Sequence, residues 1–172
     1  MNKKTIYIIV AVLVVVIVVA GAAILLMNGG FGGEPTATPT PTPTSVVGAT
    51  TLQFTVEETT NGAVVIYDYA VKNVNASNEI IRVDIPAGNA SYIINLGESK
   101  SFVSMDNGAT WSASDFATDS NFAVIFNDYL TNLVNWNGHD ATYSFTAQGG
   151  ASVVISAIHV NPPLEDSMFA TS

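Results

Sequence analysis

The sequence predicts an α+β, mainly β domain: a curved antiparallel sheet, an incomplete barrel of about seven strands, covered by one amphipathic helix and preceded by a transmembrane helix. Three observations predict it. From Thr50 onward, β-branched and aromatic segments alternate with Asn, Gly and Pro turns at a spacing of about 10–12 residues. Between Asp119 and Trp136 the apolar spacing changes to three and four residues, the period of a helix with one apolar face. Ahead of all this, Ile6–Met27 is an apolar run without a charge.

The N-terminal quarter divides into three pieces. Residues 1–5 form a short end carrying Lys3 and Lys4, and Ile6–Met27 follows. At about 1.5 Å per residue that run makes about 33 Å of helix, enough for the hydrocarbon core of a bilayer. Lys3 and Lys4 precede it and no basic residue follows until Lys72. The positive-inside rule therefore predicts a cytoplasmic N-terminus, a single-pass signal-anchor in the cell membrane and an extracellular C-terminal domain. The alternative is a cleaved signal peptide with Ala20-Gly21-Ala22 at the cleavage site, although Ala23–Met27 continues the apolar run beyond it. Residues 28–45 read as a linker, first Gly-rich and then Pro/Thr-rich. Alternating prolines favour extended PPII geometry, holding the domain some 35–40 Å from the bilayer, and such tracts suit O-glycosylated stalks.

Residues 46–172 are long enough for one core. Strands are predicted at Leu52–Glu58, Ala63–Asn73, Glu79–Ile85, Ala90–Asn95 and Ser101–Met105, then at Ala141–Gln148 and Ala151–Asn161. Asn61-Gly62 and Gly149-Gly150 supply hairpin turns. Val64, Ile66, Asp68 and Ala70 alternate with Val65, Tyr67, Tyr69 and Val71; apart from Asp68 both faces are apolar or aromatic, so the second strand should be covered on both sides. Asp119 or Ser120 can cap the helix and Gly138 can end it.

Composition excludes several chemistries. There is no cysteine, hence no disulfide, thiol nucleophile or thiolate metal site. A net charge of −9 makes nucleic acid an unfavourable partner, because the phosphate backbone is repelled. His139 and His159 have neither an i,i+4 partner nor a carboxylate cluster, so no metal site is expected. The acids are scattered and the serines lack a nucleophile elbow; no catalytic residues, enzyme activity or cofactor are expected. Ser104-Met105-Asp106-Asn107-Gly108-Ala109-Thr110-Trp111 matches the S-x-D-x-G-x-T-W Asp-box of sialidases and other β-propellers. It occurs once, as a tight turn with Asp106 folded onto turn amides. Asn75-Ala76-Ser77 and Asn89-Ala90-Ser91 are N-glycosylation sequons, making Asn75 and Asn89 glycosylation candidates in a host that modifies them.

The feature order from Thr51 to Phe169 resembles the LolA/LppX-like lipoprotein-carrier superfamily. The matching parts are the Tyr/Val strand ending at Lys72, Ile81-Arg82-Val83-Asp84, Ser91–Asn95, Phe102-Val103 before a Trp-bearing turn, and the aromatic helix. The ending Ile158–Phe169 resembles the family's closing strand and its N-x-x-L-x-D-S-x-F tail. The chain departs from the family in its lower strand count, its missing helix before the first strand and its lack of a lipid-modified cysteine. The resemblance implies an apolar cavity for acyl chains between sheet and helix.

Two functions are then expected. One is a membrane-anchored extracytoplasmic module binding a lipid or another apolar or amphiphilic ligand. Its lining would be Phe54, Tyr67, Tyr69, Ile81, Val83, Tyr92, Ile94, Phe102, Phe122, Phe126, Tyr129 and Trp136. The other is a structural or adhesive cell-surface domain on a glycosylated stalk, in which those side chains form an ordinary packed core. A sensory ectodomain ranks behind both, because Met1–Thr5 is too short to signal alone. The volume left between helix and sheet separates the first two.

Overall fold

A computed structural model describes residues 45–171. The predicted cytoplasmic end, the membrane helix and all but the last residue of the linker lie outside the described residues. Among the described residues, no helix is long and apolar enough to cross a membrane.

The domain is mainly β, as predicted, with eight strands rather than about seven in one curved, unclosed antiparallel sheet. The strands are β1 (Thr51–Thr60), β2 (Ala63–Lys72), β3 (Ile80–Ile85), β4 (Ala90–Asn95), β5 (Lys100–Ser104), β6 (Ser112–Ser114), β7 (Thr142–Thr146) and β8 (Ser152–Val160). Their order is β6-β5-β4-β3-β2-β1-β8-β7. The first six form a meander. The chain then leaves the sheet through two helices and returns as the β7–β8 hairpin, which pairs with β1. The eighth strand is β6, a short Ser-Ala-Ser segment that pairs with β5 through Phe102 and Ala113.

The helical segment begins and ends about three residues earlier than predicted and is broken at Ser120. A four-residue turn, α1 (Phe116–Asp119), precedes α2 (Asn121–Leu133). Asp115 caps α1, its carboxylate accepting from the Ala117 amide and the Thr118 hydroxyl. Ser120 stands at the start of α2 without a side-chain cap, and the Asp119 side chain is buried. The helix ends at Leu133 rather than Trp136, and Gly138 lies beyond it in a turn at φ +78°.

Period-two alternation divides the sheet into two faces. Leu52, Phe54, Val56, Tyr69, Val71, Ile81, Val83, Ile94, Val153 and Ile155 form the inner face, buried together with Phe126, Tyr129 and Leu133 of α2. The outer face carries Arg82, Ala70 and Ile93. A C-terminal 3-10 turn, Asp166–Phe169, lies over it: Arg82 Nη1 donates to the Met168 carbonyl, and Lys72 pairs with Asp166. The coverage of β2 is uneven. Its second half pairs with both β1 and β3, whereas Ala63–Tyr67 pairs with β1 alone. Val64, Val65 and Ile66 are accordingly exposed, in contrast to the two-sided burial expected of the whole strand.

Candidate functional site

Eleven of the twelve residues expected to line a cavity meet beneath or beside α2 in one cluster. Phe54, Tyr69, Ile81, Val83, Ile94, Phe126 and Tyr129 are each at most 2% exposed, and Tyr67, Tyr92, Phe122 and Trp136 are half-buried around them. Phe102 does not join them. It pairs with Ile93 and Ala113, which puts it on the outer face, because a shift of one residue along a strand reverses the side a residue faces.

Aromatic rings of the interior lie in mutual contact. Phe54 stacks on Tyr69 at 5.4 Å between ring centroids and on Phe126 at 6.1 Å. Tyr129 meets Tyr69 edge to face at 5.7 Å, and Phe122 meets Tyr92 at 4.9 Å. These separations are those of aromatic rings in contact. Burial pushes the Tyr69 hydroxyl well above the usual tyrosine range, and burial together with the nearby Glu58 carboxylate raises Tyr129.

Clefts of about 690, 400 and 280 Å³ indent the described surface, and none of the three is lined by a residue of α2. The first lies where three segments meet: the turn after α2, the C-terminal half of β8, and the chain leaving β8. It gathers Trp136, both histidines of the chain (His139 and His159), Asp140 and Pro162-Pro163.

Each rim is fixed by identifiable bonds. Trp136 Nε1 donates to the Asp140 carbonyl at 2.9 Å. The Asn137 side chain accepts from the amides of His139 and Asp140 and donates to the Asp140 carboxylate at 2.6 Å, closing the turn. On the opposite rim, the Asn161 side chain accepts from the Thr50 amide at 2.8 Å, and the Thr51 hydroxyl donates to the Pro162 carbonyl at 2.8 Å. Between them, β8 bulges. Gln53 pairs with His159 and Thr55 with Ser156, so Phe54 alone stands opposite Ala157 and Ile158. Ala157 takes φ +50°, a left-handed conformation unusual for alanine. Sequence reasoning missed this assembly because the histidines stand twenty positions apart and only the hairpin brings them to one cleft. Among the described residues, no three His, Asp or Glu side chains are grouped to hold a metal ion.

The Asp-box-like segment folds as a tight turn between β5 and β6. The Asp106 carboxylate accepts from the Ser104 hydroxyl at 2.6 Å, the Thr110 hydroxyl at 2.6 Å and the Thr110 amide at 2.8 Å. These donors hold its carboxyl down at about 2. Gly108 takes φ +85°, where an added Cβ would meet Arg82 and Trp111. The Trp111 ring faces the Arg82 guanidinium at 5.8 Å.

The two sequons differ in their surroundings. Asn75, Ala76 and Ser77 are all exposed in the β2–β3 turn. Asn89 is exposed at the end of a 3-10 turn, but its carbonyl accepts from the Asn107 amide, and Ser91 is 2% exposed within β4.

No known protein family, curated protein or solved structure matches the chain.

Proposed function

We propose that this chain is a membrane-tethered extracytoplasmic domain of structural or adhesive role, whose interior is a packed core rather than a lipid-carrying cavity. The observation that supports this reading is the aromatic packing beneath α2, where Phe54, Tyr69, Phe126 and Tyr129 are each at most 2% exposed and in mutual ring contact. An acyl chain would have to displace these rings from the contacts they make with one another. The likeness to LolA/LppX-like carriers enters as a proposal of fold kinship alone, since fold does not carry ligand with it. The uncharged Ile6–Met27 run and the Pro/Thr tract supply the anchor and the spacer in this proposal.

Two measurements test it. Native mass spectrometry and solvent extraction of the compact Thr42–Ser172 unit are expected to show bare polypeptide. A stoichiometric acyl lipid would overturn the packed-core reading. Fractionation of the host is expected to leave the full chain with membranes after alkaline extraction; a soluble mature protein lacking its first thirty or so residues would remove the anchor.

A further inference from the structure

We infer that the cleft between Trp136 and Pro162-Pro163 is a binding site for neutral saccharide chains. Its volume, about 690 Å³, lies within the range of ligand sites, roughly 300–1,000 Å³, and it opens at the surface rather than into the core.

The lining narrows the ligand class by elimination and by fit. No Lys or Arg lines the cleft, Asp140 does, and the chain carries −9 overall, so anionic ligands such as phosphates are opposed electrostatically. A lipid tail finds no dry apolar enclosure, because His139, Asp140 and His159 interrupt the apolar surface of Trp136, Ile158 and the prolines. A metal ion is disfavoured by the lack of a three-ligand group among the described residues. A sugar ring matches what remains. Its C–H faces pack on an indole or a proline ring, and its hydroxyls exchange hydrogen bonds with imidazole and carboxylate.

Both rims are also tied by hydrogen bonds within the chain itself. The Trp136–Asp140 and Asn137–Asp140 bonds fix one side, and the Asn161 and Thr51 bonds fix the other. An open site that buries little area gains most from rims held in this way, because little ordering entropy is lost on binding. The strained Ala157 sits between the rims and lines the cleft beside His159.

Saccharide binding in this surface cleft does not depend on what fills the interior, so failure here and failure of the lipid experiment are distinguishable. The test uses the full chain in phosphatidylcholine nanodiscs, carrying Trp111→Phe so that Trp136 is the one remaining tryptophan. Neutral tri- and tetrasaccharides of glucose, galactose, mannose and N-acetylglucosamine are titrated with tryptophan fluorescence as readout, and a sulfated oligosaccharide serves as the anionic arm. The expected result is a saturable change in Trp136 emission with at least one neutral probe. His159→Ala, at an exposed position, should weaken that binding at least about tenfold with the circular dichroism spectrum unchanged. No saturable response to any neutral probe, response to the sulfated probe alone, or equal affinity in His159→Ala would each overturn the assignment.

Discussion

The guanidinium of Arg82 donates a 2.8 Å hydrogen bond to the backbone carbonyl of Met168, eighty-six positions further along the chain. The same group reaches the Asp84 carboxylate at 2.9 Å and lies over the Trp111 ring. One side chain thus joins β3, the β5–β6 turn and the C-terminal turn on the outer face. Charge-assisted bonds of this kind are worth about 1.5–3 kcal/mol, so Arg82→Ala should lower stability by about 2 kcal/mol in urea unfolding. Amide exchange at Met168–Ala170 should accelerate with it. Arg82→Lys should restore only part of the loss, because an ammonium cannot present the guanidinium fork or stack on the indole as well. Unchanged exchange in Arg82→Ala would mean that Lys72 and Asp166 hold the tail unaided.

The turn held by Asp106 should respond to acid. Its folded carboxyl lies at about 2, below the ordinary aspartate value of about 3.9. A depressed acid stabilises the fold above its unfolded value, and that contribution disappears as pH falls through the folded one. Protection of the Thr110 amide should therefore be constant from neutral pH down to about 4 and decline toward 2. Asp106→Asn should lower protection at neutral pH and abolish the acid dependence. A profile shared by wild type and variant would assign the transition to other carboxylates.

The opposite sign is expected at Glu79. This residue is 2% exposed, and burial raises its carboxyl, an effect only partly offset by the Asn75 amide donating at 2.7 Å. An acid raised in the folded state binds its proton more tightly there than in the unfolded chain. Its contribution to stability is complete at low pH and is lost as pH rises through the folded value. Glu79→Gln keeps the shape and removes the charge, so the stability difference, variant minus wild type, should be more favourable at pH 7.5 than at pH 4. Urea midpoints at the two pH values measure it, and a difference independent of pH would clear Glu79 of the cost.

What could be read in the sequence follows from how local each signal is. β1 to β5 and the β7–β8 hairpin announce themselves through alternation and through turns such as Asn61-Gly62, because side-chain period and turn chemistry act over a few residues. Phe122, Phe126 and Tyr129 likewise mark their own helix face. β6 has no such mark: Ser112-Ala113-Ser114 is a strand only because β5 offers it partners. The break at Ser120 depends on Asp115 capping a turn earlier than Asp119 would. Phe102 shows the limit of residue type, since its side of the sheet is set by pairing with Ile93 and not by its apolarity. The cleft is the least local of all. His139, His159 and Pro162 become neighbours only after β8 has paired with both β1 and β7 and bulged at Ala157.

The β8 bulge strains the backbone at Ala157. An L-residue other than Asn or Asp in the left-handed region costs about 1–2 kcal/mol, and Ala157 has φ +50°. Glycine removes this cost but leaves the unfolded chain freer, which returns about 0.5–1 kcal/mol. The net expectation for Ala157→Gly is a gain of about 0.5–1 kcal/mol, a rise in Tm of about 2–4 °C by calorimetry. Ala157→Val should move Tm downward, because a β-branched side chain tolerates positive φ worse than alanine does. Ala157 is exposed, so a loss of core packing cannot account for either change. If Ala157→Gly instead lowers Tm, the alanine methyl is holding the bulge in register, and the apparent strain is offset by contacts along the Ser156–His159 stretch.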